Sequence, residues 1–334
     1  MLVLRTTLGT FYLEFLMNTL KPPLTYSEQI DRLINIHNLK IDDRDHAEDI
    51  LKKTNYYRLS AYGIGLKQKD DIEKYLDGVS IEQLYRLYLF DSKLKNALIH
   101  TVELIEIQLR SQLAYHLSMK YGADGYMDPL NFMNIADSSG VPYHTAIIDK
   151  FNAERTRQRA VPFVKHHETK YNGKYPMWVA IELFTFGNVA SLFSIMRDDD
   201  RLAIAKLYNT SPNYLKSWIL SLVEVRNICA HYGRLYNMPL KQSPRLYKEF
   251  KQHQNNKPNK LFPVIITIQR ILCSNTDWDN FAIRLESIMD EYFDVVKLSF
   301  IGFPQNWKAI LKLTTESRGN IDANDKLYPK SDKD

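Results

Sequence analysis

The feature that most constrains this chain is a row of apolar residues, Leu94, Leu98, Val102, Ile105, Leu109, Leu113 and Leu117, that steps at four, four, three, four, four and four. Steps of three and four are the period of an α-helix. The region Ile81 to Tyr121 is therefore expected to form one long amphipathic helix, with that stripe turned to a core. Glycine supports the same class, because 12 Gly against 21 Tyr disfavours glycine-turned all-β folds and loops that cradle phosphate. The expected class is all-α.

With 334 residues, 45% hydrophobic and 25% charged, the chain can bury one sizeable core or two modest ones. Its net charge of +5 permits nucleic-acid binding without requiring it. Cys229 and Cys273 are far apart and form no C-x-x-C pair, which argues against a disulfide framework and against a cysteine zinc site. A reducing cytoplasm fits this usage, and no metal or other cofactor is expected. No apolar run reaches transmembrane length, so no membrane partner is expected. The opening Met1 to Met17 is interrupted by Arg5 and Glu14 and has no small-residue cleavage site. It reads as an extension, or as an upstream start before Met17, rather than a secretory signal.

Residues 1–20 form this extension, and 21–78 read as an N-terminal helical module. Ser27 is the expected cap of its first helix, on which Ile30, Leu33 and Ile34 recur. After an Asp42-Asp43 turn, a second helix through Ile50 and Leu51 ends in Asn55-Tyr56-Tyr57-Arg58-Leu59-Ser60-Ala61-Tyr62. Tyr56, Tyr57 and Arg58 admit two readings: tyrosines packing one helix pair on the next, or a surface for RNA bases and phosphates. Residues 79–245 form the expected core, with an insertion around 122–175 that reads as a long connection or a pair of short helices. The insertion carries Arg155, Arg157, Arg159, Lys165, His166 and His167, which read as a solvated basic loop, because neighbouring histidines point different ways. Helix resumes from Pro176-Met177-Trp178 to Met196, and again at Pro212 after Ser211 in the cap position. Residues 246–313 add C-terminal helices at Leu261 to Cys273 and Trp278 to Leu298, after a polar stretch at Gln252 to Lys260. A charged tail, 314–334, closes the chain.

The helix after Pro212 places Trp218, Leu222, Val225, Cys229 and Tyr232 on one apolar stripe. Asn227, His231 and Arg234 share a second face, and Arg226, Ala230 and Gly233 a third. These residue types suit cleavage of RNA through its own 2′-hydroxyl. An imidazole can take or give a proton near neutral pH, and a guanidinium offers a charged fork that matches phosphate. One histidine cannot be acid and base in the same step, so a composite site across a homodimer is expected. On spacing alone, a histidine satisfied on a helix surface is the alternative reading. Likewise Glu103, Glu106 and Arg110, three and four residues apart on the long helix, read by themselves as a solvated ion pair.

The run Arg226-Asn227-Ile228-Cys229-Ala230-His231-Tyr232-Gly233-Arg234-Leu235-Tyr236-Asn237 resembles the signature R-N-x-x-A-H-x-x-R-L-[WY]-N of the abortive-infection (Abi) family, AbiD/AbiF type. Other segments fall where that family has its own motifs. These are Lys21-Pro22-Pro23-Leu24-Thr25 with Glu28-Gln29, the Asn55 to Tyr62 run, the Glu103/Glu106/Arg110 helix, and Pro176-Met177-Trp178 leading to Glu182-Leu183-Phe184-Thr185-Phe186-Gly187. Together they span roughly residues 21 to 300. The departure is Tyr236, where many relatives have tryptophan.

The resemblance implies a HEPN-type helical bundle and a role in phage defence. It also implies a ribonuclease site at Arg226 and His231, with Asn227 orienting them and Arg234 nearby. Glu103, Glu106 and Arg110 would then support the site from the facing helix. The expected partner is RNA, a small non-coding RNA or a tRNA included. A binding protein that holds structured RNA without cutting it is the main rival, and a module whose polar stripe makes a dimer interface is a third reading.

Overall fold

The structure, a computed structural model, describes residue 20 and residues 22–252, 259–272 and 274–311. The expected extension up to residue 19, Lys21, most of the polar stretch before Lys260, Cys273 and the charged tail lie outside the described residues. Among the described residues the chain is helical, with isolated bridges such as Lys40 with Ser80 and no strand. The all-α class is observed.

The chain divides into two compact units, one ending at Tyr88 and the other beginning at Leu89. The first contains α1 (Tyr26–Asn35), α2 (Arg44–Thr54) and the short α3 (Tyr56–Ser60). Thr25, not Ser27, caps α1: its hydroxyl accepts from the Glu28 amide, and the Glu28 carboxylate accepts from the Thr25 amide. The capping box wins because it satisfies two orphan donors at once. Asp43 caps α2 by accepting from the His46 amide. Asn55, at φ +62, breaks the helix, and its side chain accepts from the Tyr57 amide to start α3.

The predicted long helix is α4, Ile81–Tyr121, 41 residues and about 60 Å long. Six of its seven stripe residues, Leu94 to Leu113, are fully buried, and Leu117 is 1% exposed. In the second unit it is joined by α5 (Tyr143–Arg157), α6 (Pro162–Lys170), α7 (Met177–Ala180), α8 (Phe186–Ile195), α9 (Asp198–Lys206), α10 (Pro212–Ala230), α11 (Lys248–Lys251), α12 (Leu261–Ile271), α13 (Asn275–Glu291) and α14 (Leu298–Ile301). Apart from Arg270, every residue of α12 is buried, as befits a helix that is apolar on nearly all sides.

Several boundaries differ from the sequence reading. Of the two readings of the insertion, the pair of helices is observed, α5 with 15 residues and α6 with 9. The expected helix from Pro176 to Met196 is broken at Phe184 and Thr185, where Thr185 accepts from the Asn188 amide and starts α8 anew. The α9 helix was not anticipated. Its buried Asp200 takes hydrogen bonds from His116, Lys120 and Tyr121, which ties it to the end of α4. Burial pushes the Asp200 carboxyl up, but these bonds outweigh it and hold the group below the usual carboxylate range. At the C-terminal side, Ser274 caps α13, which ends at Glu291 instead of continuing to Leu298.

Candidate functional site

The site grows from the C-terminal half of α10. Leu215, Trp218, Ile219, Leu222, Val225 and Cys229 are buried, which sets the rotation of the helix and turns Arg226 to one side. The Arg226 Nε lies 3.4 Å from Glu106 Oε2, on α4. Glu106 is buried, and its other oxygen is 2.5 Å from the Arg110 Nη2. One buried carboxylate is thus shared by two guanidiniums.

Arg110 in turn donates to the carbonyls of Ile181, Glu182 and Phe184 at 3.3, 3.4 and 2.6 Å. These carbonyls are available because the chain between α7 and α8 leaves the α-helical path there. The break the sequence reading missed is therefore the feature that lets Arg110 bind this segment. A cleft of about 310 Å³ opens over the cluster, lined by Ile99, Glu103, Glu106, Arg110, Glu182 and Arg226 among others. Arg226 is 37% exposed, so the cleft reaches a guanidinium held from behind.

The other half of the signature faces elsewhere. The α10 helix stops at Ala230, and His231 is its C-terminal cap residue. Five residues along a helix turn about 140° around its axis, so Arg226 and His231 point apart within one chain. Asn227 and His231, four residues apart, are both exposed. His231 is not among the residues lining the cleft.

The helix ends in a Schellman turn. The Gly233 amide donates to the Ile228 carbonyl at 2.8 Å and the Tyr232 amide to the Cys229 carbonyl at 3.2 Å. Such a turn needs a left-handed residue, and here it is Tyr232, at φ +55 and 74% exposed. A tyrosine in that conformation is strained. The predicted stripe through Tyr232 and the predicted faces through Gly233 and Arg234 are therefore corrected, since all three lie beyond the helix. Gly233 is required for another reason: a Cβ there would sit 3.1 Å from the Ile228 Cγ2 and 3.2 Å from its carbonyl oxygen. Arg234 contacts the Met238 sulfur at 3.1 Å.

Two residues that the sequence reading did not single out hold this turn. Asp91, fully buried on α4, accepts from the Leu235 and Tyr236 amides at 3.1 and 2.8 Å. Lys95 lies 3.2 Å from Asp91 and donates to the Gly233 carbonyl at 2.8 Å. Their signal was an opposite-charge pair at i and i+4 flanking Leu94 of the apolar stripe. Leu235 and Tyr236 are buried anchors, and the Tyr236 hydroxyl accepts from the Lys297 amide at 3.0 Å. Burial pushes the Cys229 thiol up to about 12, which keeps it protonated and unreactive.

The remaining predicted residues separate. Glu103, exposed, lines the same cleft as Glu106 and Arg110. Tyr56, Tyr57 and Arg58 lie on α3 in the first unit. Tyr57 is 84% exposed and Arg58 is exposed, whereas Tyr62 is buried. For Tyr57 the packing reading fails, because its ring meets solvent. Among the described residues, no group of three His, Cys, Asp or Glu is placed to hold a metal ion, and no helix is long and apolar enough to cross a membrane.

A helical unit in which a buried carboxylate couples two arginines beneath an open cleft, beside an exposed Asn-x-x-x-His pair, defines a polar site on an all-α scaffold. The chain matches the Abi-like protein family over residues 49–237 and belongs to that family. The matched stretch ends at Asn237, the last residue of the signature, and leaves Lys21 to Gln29 outside it. No curated protein and no solved structure gives a match.

Proposed function

We propose that this protein is a phage-defence endoribonuclease that cuts RNA without a metal, using Arg226 and His231 from two copies of the chain. The observation that carries the reading is the Arg226 guanidinium, anchored by Glu106 and open to the cleft, on the same helix end that presents Asn227 and His231 to solvent. Membership of the Abi-like family supports a role in abortive infection.

In this mechanism a neutral His231 accepts the proton of the 2′-hydroxyl as that oxygen attacks the adjacent phosphorus. A protonated His231 of a second copy gives its proton to the departing 5′-oxygen. The products are a 2′,3′-cyclic phosphate and a free 5′-hydroxyl, so protons balance across the two histidines. Arg226 stabilises the extra negative charge on the phosphorus oxygens, a contribution of roughly 3–4 kcal/mol for one well-aimed donor. Glu106 and Arg110 keep that guanidinium in place, and Asn227 orients His231 or the phosphate. The angular separation of Arg226 and His231 in one chain favours a site completed by a two-fold partner.

The test is incubation of wild type, Arg226→Ala and His231→Ala with total bacterial RNA in EDTA, followed by analysis of fragment ends. Wild type should leave 2′,3′-cyclic phosphates, and neither variant should cut. RNA retained by wild type without any cutting would favour the second reading, a protein that holds structured RNA. A monomer in sedimentation that still cuts would overturn the two-copy arrangement.

A further inference from the structure

The segment from α5 to α7 holds a second polar surface in the same unit as the cleft. His167, buried on α6, is stacked between two tyrosines: its ring lies 5.2 Å from that of Tyr171, tilted 29°, and 5.0 Å from that of Tyr175, tilted 20°. The Arg155 guanidinium lies 5.6 Å from the Tyr175 ring centre, extending the column. Each inner member is pinned. The His167 Nδ1 lies 2.8 Å from the Phe163 carbonyl oxygen. The Tyr175 hydroxyl donates to Glu168 at 2.8 Å, and Glu168 also pairs with Arg155 at 2.6 Å.

The column ends at the surface. Tyr171 is 47% exposed, the exposed His166 ring meets it edge-on at 5.4 Å, and Lys170 lies 5.5 Å from its centre. The same segment carries Arg159, Lys165, Lys170 and Lys174, all exposed. No carboxylate lies within ion-pair distance of any of these four among the described residues, whereas Arg155 and Arg157 are paired with Glu168 and Glu154. The cleft has the opposite balance: Glu103, Glu106 and Glu182 surround Arg110 and Arg226.

We propose that this surface, built on Lys165, His166, Lys170, Tyr171 and Lys174, binds single-stranded RNA, with a base stacked on the exposed Tyr171 ring, His166 edge-on beside it, and phosphates on the lysines. A rigid, exposed ring flanked by unpaired cations is what sequence-tolerant strand binding requires, because every base has a face to stack and every linkage a charge. An acidic protein would use the cations but gain nothing from a ring plane held by a buried column. The proposal rests on the reading of the protein as one that acts on RNA. It supplies the attraction for phosphate that the carboxylate-rich cleft lacks, at a point from which the chain runs through Tyr175 into α7 and Glu182.

The experiment uses a short fluorescein-labelled 2′-O-methyl oligouridylate, which lacks the attacking hydroxyl, so binding is read apart from cutting. Tyr171→Ala should weaken binding about ten-fold, in line with the loss of one stacked base, while Tyr171→Phe keeps it. Lys165→Ala with Lys170→Ala should lower the slope of log affinity against log salt by about 1.4, at roughly 0.7 per lost phosphate contact on a single strand. Photo-cross-linking of a 4-thiouridine version should label the peptide 166–174. Unchanged affinity and salt slope in these variants, cross-links confined to other segments, or no binding by wild type would each overturn the proposal. The ribonuclease reading fails by a different sign, the absence of cyclic-phosphate ends on natural RNA.

Discussion

Asp91 and Glu106 are both buried carboxylates on α4, and both reach the end of α10, yet they do different work. Asp91 is closed in: fully buried, it is satisfied by two backbone amides and paired with Lys95. Glu106 sits beneath an open cleft, and the partners that define it are two guanidiniums, one of which is part-exposed. A carboxylate bonded to backbone sets where a turn must be. A carboxylate bonded to cationic side chains sets where a charge must point. A carboxylate on the same helix clamps a backbone turn in one place and anchors two guanidiniums in the other.

The comparison breaks most visibly at Asp91. Asp91→Ala leaves Lys95 buried without its carboxylate and two amides without acceptors, which should cost about 3–5 kcal/mol in denaturant unfolding. Adding Lys95→Met should recover part of that loss, since the stranded charge is then gone; no recovery would mean that the lost backbone bonds dominate. Glu106→Ala should cost less, about 2–3 kcal/mol, because Arg110 keeps three carbonyls and Arg226 can turn to water. Its larger signature should be catalytic, and Glu106→Gln should restore stability more than it restores cutting. A variant that is fully stable and fully active would remove Glu106 from the site.

Smaller effects sharpen the contrast at the turn. Tyr232→Gly relieves a left-handed tyrosine whose ring is mostly in solvent, and should stabilise the fold by about 1 kcal/mol. If the exposed Tyr232 ring takes part in holding RNA, the same change weakens binding while raising the melting temperature. At the bottom of the scale, His231→Ala should change stability by no more than about 0.5 kcal/mol, since the side chain is exposed. A large loss of stability there would show that the histidine is part of the scaffold.

Much of this architecture was legible in one dimension. The 3.6-residue period of Leu94 to Leu117 announced α4, and the Ser211-Pro212 start located α10 to the residue. The Arg226 to Asn237 run pointed to the Abi-like family, whose matched stretch ends at Asn237. The capping residue of α1, the break at Phe184 and the α9 helix were not legible. In each, a hydrogen bond competes with a propensity: Thr25 with Glu28 outbids Ser27, and Arg110 binds the carbonyls that a continuous helix would have used internally.

What the sequence determined by itself is the class, the family and the long helix, because periodicity and motif spacing are local. Only the tertiary structure decided that Glu106 joins Arg110 to Arg226, that Asp91 and Lys95 hold the turn, and that Arg110 binds the carbonyls between α7 and α8. These are contacts between residues far apart in the chain, and the end of a helix depends on which partner satisfies its last carbonyls. Such choices are made by burial, which removes water as the alternative partner and leaves each polar group the neighbour that the packing supplies.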